Sequence, residues 1–560
     1  LGGEIYWECT PSGQYIFTLT LYRDCTGAPI PTGTQFISGP AGNIGCTYIP
    51  SLSGDVSPDC PNTALDLQCS AGDDGAIEKG VYRSSPVSLA GIPPAGGWEF
   101  SWTLCCRPSL ENTNASQYYL RSRMYPYTPP GSSQPLNTST CYDNSPVFAQ
   151  DANAVTCPNF LFEFNHLPSD KDIDSLVFDW GHPWDAANSN INFNTGYSHT
   201  APFPDGSEDP NNGPNTLDPS SGEITALANN PNDGWYASCV VIKEYRCNQL
   251  IGEVYRDVPL YYLDATDCPT NPSTPSAEID TAIYQNVQRT GNVYRIRTYP
   301  QDTVQFRVVA RDLDQFANGS FQQICMKAGG LQLNSNNYAS NSGCNGAAPC
   351  ATLTSFNSTG TYCSVIQNTV EFFWVPDCVH LNFGGCGTAS NTYFFTVRME
   401  DDGCAAPKVG LATIIVEVIA GDPTPPGLSC TDVQQDGSIR LGWSQPELDS
   451  VLEFNYYRIY GSSSPGGPWT VVDSIPHYDT LSTIVSSQGN VSYFYMEMST
   501  GPCDFISLPS QVVSTMTMTM TAIPPNSPEI AQLSWTPLNG TGLNPIRGNI
   551  YEVWVEAPEG

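Results

Sequence analysis

Positive charge is scarce in this chain: 21 Lys and Arg stand against 55 Asp and Glu, a formal net charge of −34 over 560 residues. A surface of that sign repels phosphate backbones and attracts divalent cations, so nucleic acid is excluded as a partner. Histidine is also rare. His166, His182, His199, His380 and His477 are scattered, with no HExxH or paired-ligand spacing, and no GxSxG elbow, Walker loop or CxxC pair occurs. The common catalytic constellations are therefore missing. No apolar run reaches about 18 residues, so no segment reads as a membrane-spanning helix. The first methionine is Met124 and residue 1 is Leu, and we expect that an initiator and any signal peptide are removed or lie outside this sequence.

What is present points outside the cell. Twenty-one cysteines with so few histidines fit disulfides made in an oxidising compartment better than a zinc framework. A chain of this length exceeds what one core can fill, so several domains are expected. The pattern repeats internally. SCVVIKEYR, a turn and EVYRDVPLYYL (238–263) parallel FFTVRMEDD, a turn and GLATIIVEVI (394–419). Each is a pair of alternating runs about a Cys- and Gly-bearing turn, the signal of a hairpin closing a sandwich. Upstream, FEFNHLPSDKDIDS (162–175) parallels FRVVARDLDQ (306–315), a strand running into a turn with aspartates at alternate positions. The expected fold class is all-β: tandem β-sandwich modules, Ig- or cadherin-like and fibronectin-like, in series and stapled by disulfides. Such an array presents surfaces more readily than it builds one catalytic pocket.

The first module is expected over 1–130, with YIFTLTLY and WEFSWTL as core strands and a local Cys9–Cys25 bridge. Adjacent Cys105 and Cys106 are expected to staple in two directions, because neighbouring cysteines pair only under strain. A Pro/Gly/Ser-rich linker precedes a second module at 140–267, whose segment 185–232 has little periodicity and reads as a long surface insertion. The third module spans 278–420, with a 334–363 excursion pinned through Cys344, Cys350 and Cys363.

From residue 423 the runs PTPPGLSC, IRLGWSQP, YYRIYGSSSPGGPWTVV and VSYFYMEM resemble strands of a fibronectin type III domain, over 423–520. Its two cysteines, Cys430 and Cys503, are expected to pair. A second such domain begins over 521–560, with Trp535 in the place of Trp443, and half a sandwich leads us to expect a longer protein. The set LGGEIYWEC, YIFTLTLYRDCTG, FSWTLCCR, NSPVF, DIDSLVFDW, VIKEYRCNQLIGEVYRD and VRMEDDGCAAP (within 1–420) resembles large surface proteins of gliding Bacteroidota, exported by type IX secretion and bearing a gliding-motility-associated C-terminal domain. The resemblance implies an exported, cell-surface or filament-forming protein handled by the type IX secretion machinery. It also implies O-glycosylation at Asp-Ser/Thr-apolar sites, here Ser175, Thr281, Thr303, Ser450, Ser474 and Thr480.

Calcium is the sharpest chemical expectation. Asp170, Asp172 and Asp174 alternate through one turn, and Asp312, Asp314, Asp401 and Asp402 come from segments expected to meet at one domain end. Hard oxygen ligands converging from separate loops suit that ion, although turns also favour Asp for local hydrogen bonds. Trp184, Trp235 and Tyr236 sit in or beside the long insertion and are candidates for stacking on surface glycans. The nineteen cysteines upstream of Cys430 are an odd number, so one pairs outside these modules, pairs with another chain or stays free. The expected function is a non-enzymatic extracellular structural or adhesive protein, binding surface glycans or copies of itself. The competing expectation is a secreted polysaccharide-degrading enzyme with spacer modules, for which paired carboxylates in a cleft near 188–219 would speak.

Overall fold

The computed structural model describes residues 2–535 except 59–66, 106, 153, 173, 230, 269–275, 281–286, 317, 334–343, 345, 356–361, 382–389, 404–405, 449–451 and 523–530. Among them every regular element is a strand, apart from single 3-10 turns at Pro50–Leu52, Thr138–Thr140 and Cys378–His380. The chain is an all-β, multi-domain protein of sandwich type, as its alternation predicts. It divides into two compact units, Leu1–Ile419 and Ala420–Gly560.

In the first unit, strand Tyr15–Asp24 turns Tyr15, Phe17, Leu19 and Leu21 inward, and it pairs antiparallel with Gly2–Cys9. Pairing continues through Ile77–Ser84, Gly42–Tyr48, Gln35–Gly39, Trp98–Cys105 and Gln117–Met124. Gln117–Met124 then pairs with Gln249–Asp257, which reaches the opening strand through Gly3↔Asp257. These eight strands form a closed ring of pairings around Trp7, Phe17 and Phe100, whose ring centroids lie 4.6 to 6.5 Å apart. Two glycines permit the closure. A Cβ on Gly2 would lie 2.4 Å from the Asp257 carbonyl oxygen, and one on Gly3 2.3 Å from that of Thr20.

The ring corrects the expected boundary between 1–130 and 140–267. A strand from the end of the second segment completes the sheet of the first, so the two are not modules in series. Alternation reveals which face of a strand is buried but not which strand lies beside it. The same sheet runs on through Cys239–Arg246 to Ser175–Trp180, which cover a second core built from Phe162, Phe164, Phe178, Ile224 and Tyr262. Ile191 and Phe203 belong to that core, so 185–232 is partly interior and not only a surface insertion.

Disulfides tie distant segments together: Cys9–Cys141, Cys25–Cys69 and Cys157–Cys268. The expected Cys9–Cys25 bridge is corrected, for a geometric reason. The antiparallel register sets Cys9 beside Tyr15 and Gly2 beside Tyr22, so Cys9 and Cys25 stand at opposite ends of one hairpin. Strand rise puts those ends roughly 23 Å apart, well beyond disulfide reach. Cys105 is a free, exposed thiol, correcting its expected role as a staple, while Cys106 lies outside the described residues. Cys46 and Cys239 are free and buried.

Residues 276–419 form a two-layer sandwich. One sheet holds Ser276–Asp280, Val304–Arg311, Gln367–Trp374 and Thr352–Ser355; the other includes Val293–Thr298, Val409–Ile419, Ser390–Asp401 and Gln323–Gly329. Phe306 stacks on Phe372 within one layer (4.7 Å), and Phe372 meets Phe395 of the other (4.8 Å). Cys344–Cys350 and Cys325–Cys363 pin the excursion, as expected.

In the second unit Gly427–Val433, Ile439–Ser444 and Ser482–Val485 make one sheet, and Thr470–Ile475, Phe454–Ser462, Tyr493–Thr500 and Phe505–Ile506 another. Trp443 is buried on Tyr457 at 5.8 Å, the core role its pattern predicts. Cys503 is disulfide-bonded, and the side chain of Cys430 lies outside the described residues. Trp535 faces Met518 in a two-stranded sheet and is 39% exposed, so it does not repeat the burial of Trp443.

Candidate functional site

The two acidic groups flagged in the sequence keep different company in the fold. In the first, the Asp170 side chain folds its own turn: Oδ1 accepts from the backbone amides of Asp172 (2.9 Å) and Asp174 (3.0 Å). That turn leads into Ser175–Trp180, whose Leu176 pairs with Glu244 of the neighbouring strand. Glu244 thereby arrives beside Asp174. The room for its carboxylate comes from Gly252 across the next pairing, where a Cβ would sit 2.4 Å from Oε2. Asp143 comes from a third segment, 141–145. That segment is fixed to the opening strand by the Cys9–Cys141 bridge and by Ser145 and Asn144, which accept from the Trp7 and Cys9 amides at 2.8 and 2.7 Å.

Among the described residues, Asp143, Asp174 and Glu244 are the one set of three acidic side chains whose oxygens all lie within 4.8 Å of one another. Arg246 closes one side of the group. It donates to Asp174 Oδ1 (2.8 Å), to Asp174 Oδ2, to Asp172 (3.1 Å), to Asp143 (3.3 Å) and to the Tyr142 carbonyl (2.6 Å). Asp172 is turned to this rim, accepting also from the amide and side chain of Asn144 (2.7 and 2.8 Å). Glu244 is fully buried, and neither of its oxygens meets a hydrogen-bond donor; Asp170 Oδ2 is in the same state. Burial pushes the Asp143 carboxyl up to about 8, against the pull of Arg246. Asp170 and Glu244 are held well above the ordinary carboxylate range by burial and then by their acidic neighbours. Such a group must take up protons or a cation. Sequence reading found Asp170, Asp172 and Asp174 and missed Asp143 and Glu244. The available signal was slight: a Glu in an alternating strand that faces a glycine across the hairpin.

The second group gathers where Ser390–Asp401 pairs with Gln323–Gly329. Asp401 Oδ1 accepts from the amides of Gly403 (2.9 Å) and Lys408 (2.8 Å), Asp402 from that of Gln323 (2.8 Å), and Asp312 from that of Asp314 (2.9 Å). Here a cation is already part of the fold. The Lys408 ammonium is buried 3.2 Å over the Phe160 ring, and burial lowers it to about 7 while Asp401 and Asp314 pull the other way. Burial likewise raises Asp401 to about 7, with Asp312 adding to the rise and the Lys408 and Gly403 amides opposing it. The second group flanks a groove of about 830 Å³ that carries Glu163, Lys327, Arg398, Glu400, Asp401 and Lys408, charges of both signs.

The glycan expectation is corrected at two residues. Trp235 and Tyr236 are 4% and 0% exposed: Trp235 packs on Tyr261 (4.8 Å) and donates to Asp24 (3.2 Å), while Tyr236 packs on Tyr262 (5.4 Å). Core rings cannot stack on a sugar. Trp184 is half-buried, with the Arg121 guanidinium 3.6 Å over its ring. Of the sites expected to carry O-glycans, Ser175, Thr303 and Ser474 are exposed and Thr480 half-buried, whereas Thr281 and Ser450 lie outside the described residues.

No protein-family model and no curated protein matches the chain. Among solved structures it is similar to domains A168–A170 of titin, at 9% identity over 66% of this chain and 97% of that chain, with a TM-score of 0.17. It is similar also to the chicken CNTN1 FN1–FN3 domains, at 9% identity over 64% and 94% of the two chains, with a TM-score of 0.16. At those scores neither likeness bears on what this chain does.

Proposed function

We propose that the chain is a non-enzymatic structural or adhesive protein of the extracellular surface, displayed on the cell or assembled into a filament and serving adhesion or gliding. The observation that carries this reading is the covalent closure of an all-strand body, with Cys9–Cys141 and Cys157–Cys268 joining segments 132 and 111 residues apart. Cross-links of that span persist in oxidising compartments and resist unravelling under load. The motifs shared with type IX-secreted Bacteroidota proteins support the same setting, and no helix among the described residues is long and apolar enough to cross a membrane.

Asp143 and Glu244, two of the groups displaced from their ordinary values, are fully buried. In 188–219 the carboxylates of Asp205, Glu208, Asp209 and Asp218 each accept from a backbone amide within three residues, the work of turns and not of a hydrolytic pair. Electron microscopy of native surface material, labelled with an antibody to 1–419, tests the reading. Label along filaments or on the cell envelope is expected; label confined to the cytoplasm, or polysaccharide cleavage by the purified protein, overturns it.

A further inference from the structure

We propose that Asp143, Asp170, Asp174 and Glu244 bind one hard divalent cation, calcium in an extracellular setting, and that this ion clasps three separate chain segments together. The inference is independent of the surface role and changes the ligand set the sequence suggests. Asp174 stays in it beside Asp143 and Glu244, which enter from other segments of the chain, while Asp172, half-buried and held by Asn144 and Arg246, lies outside that trio.

Acidic residues crowded together are not in themselves a site, and the deciding observation is Glu244. It is 0% exposed, both oxygens lack a donor, and one of them lies within 4.8 Å of a carboxylate oxygen of Asp143 and of Asp174. Asp170, 6% exposed, likewise leaves Oδ2 without a donor. A buried carboxylate without a donor forfeits its hydration and receives nothing in return unless a proton or a cation completes it. Arg246 cannot serve as that cation for Glu244. Its donors are all directed to Asp143, Asp172, Asp174 and the Tyr142 carbonyl. Five carboxylates against one guanidinium leave a formal charge of −4, which one divalent ion halves.

The donor set selects the ion class. All ligands are carboxylate oxygens, with no imidazole or thiolate, which suits a hard cation and not zinc or copper. They approach from three unrelated segments, and calcium accepts six to eight oxygens in flexible arrangements where magnesium demands a near-ideal octahedron. A cavity of about 20 Å³ borders Asp170 and Asp174, room for one water to complete the sphere. The ion would join segment 141–145, the turn 170–174 and strand Cys239–Arg246, next to the Trp7 indole, which donates to Asp143 at 3.2 Å.

That indole supplies the readout. Protein stripped with chelator and returned to buffer is titrated with calcium or magnesium, following the melting temperature, and with terbium, following emission excited through tryptophan. Calcium is expected to raise Tm by about 3 °C at a free concentration about a hundred times Kd, and terbium to give sensitised emission that calcium displaces. Glu244→Gln should weaken calcium binding at least tenfold and remove the emission, and Asp402→Asn, in the other acidic group, should leave both responses in place. Should Glu244→Gln fail to fold by circular dichroism, Asp170→Asn carries the same expectation. The proposal is overturned if wild-type protein shows neither a calcium-dependent Tm nor sensitised emission. An equal response to magnesium, or a response lost in Asp402→Asn but kept in the folded Glu244 or Asp170 variant, also overturns it.

Discussion

The two acidic groups begin alike, as aspartates at alternate positions in the turn after a strand, and end differently because of residues far from either turn. Around Asp170 the interior contributes Glu244 and Asp143, more negative charge, with one guanidinium at the rim. Around Asp401 it contributes Lys408, whose amide and ammonium both serve the same group. The spacing of acids announces a turn, but the counter-charge is set by whichever strand the topology lays alongside.

The largest test of this contrast is Arg246→Met. It removes the one guanidinium from a buried cluster and leaves its acids facing each other, so unfolding in urea is expected to show a loss of about 3–5 kcal/mol. A loss below about 1 kcal/mol would mean the rim is solvated and the two groups are equivalent. Gly252→Ala is the intermediate case. Its Cβ would meet Glu244 Oε2 at 2.4 Å, and overpacking of this kind costs about 1–3 kcal/mol, read as a lower midpoint at unchanged m-value.

Lys408→Met is the smallest. A buried ammonium without a hydrogen bond gives up little when replaced by an apolar chain of similar length, so the change at pH 7 is expected within about 1 kcal/mol. Its pH dependence is the sharper measurement. Lys408 is lowered to about 7 in the folded chain from 10.5. Between those values the unfolded chain therefore holds the extra proton, and wild-type stability rises with pH. The stability difference, wild type minus Lys408→Met, should climb from pH 7 to pH 10 and stay level below pH 6. A flat difference across that range would place Lys408 in solvent.

Much of the architecture is legible in the residues one at a time. Alternation marks Tyr15–Asp24 and Ser390–Asp401 as strands, the IRLGW run places Trp443 in a core, and the Asp spacing locates both turns. Partnership is not legible. Nothing within Gln249–Asp257 says that its neighbours are residues near 3 and near 123, and the Cys9–Cys141 pair follows from an equally unseen adjacency, segment 141–145 along the opening strand. Glu244 looks like an ordinary outward-facing acid in an alternating run until the sheet continues past it on both sides. Trp235 and Tyr236 mislead for a related reason. Their Asn- and Gly-rich surroundings read as an exposed loop, yet the strand Gly234–Tyr236 is paired with Leu260–Tyr262 and sealed by its tyrosines.

The ring carries an obligation in time. A ribosome releases residues 2–124 long before 249–257, so the emerging polypeptide spends that interval with Gly2–Cys9 and Gln117–Met124 as open margins. Unsatisfied margins capture any extended segment in reach, including the equivalent one of a sister polypeptide. Whatever attends the nascent protein must therefore keep the early portion apart from its siblings until its own last stave arrives.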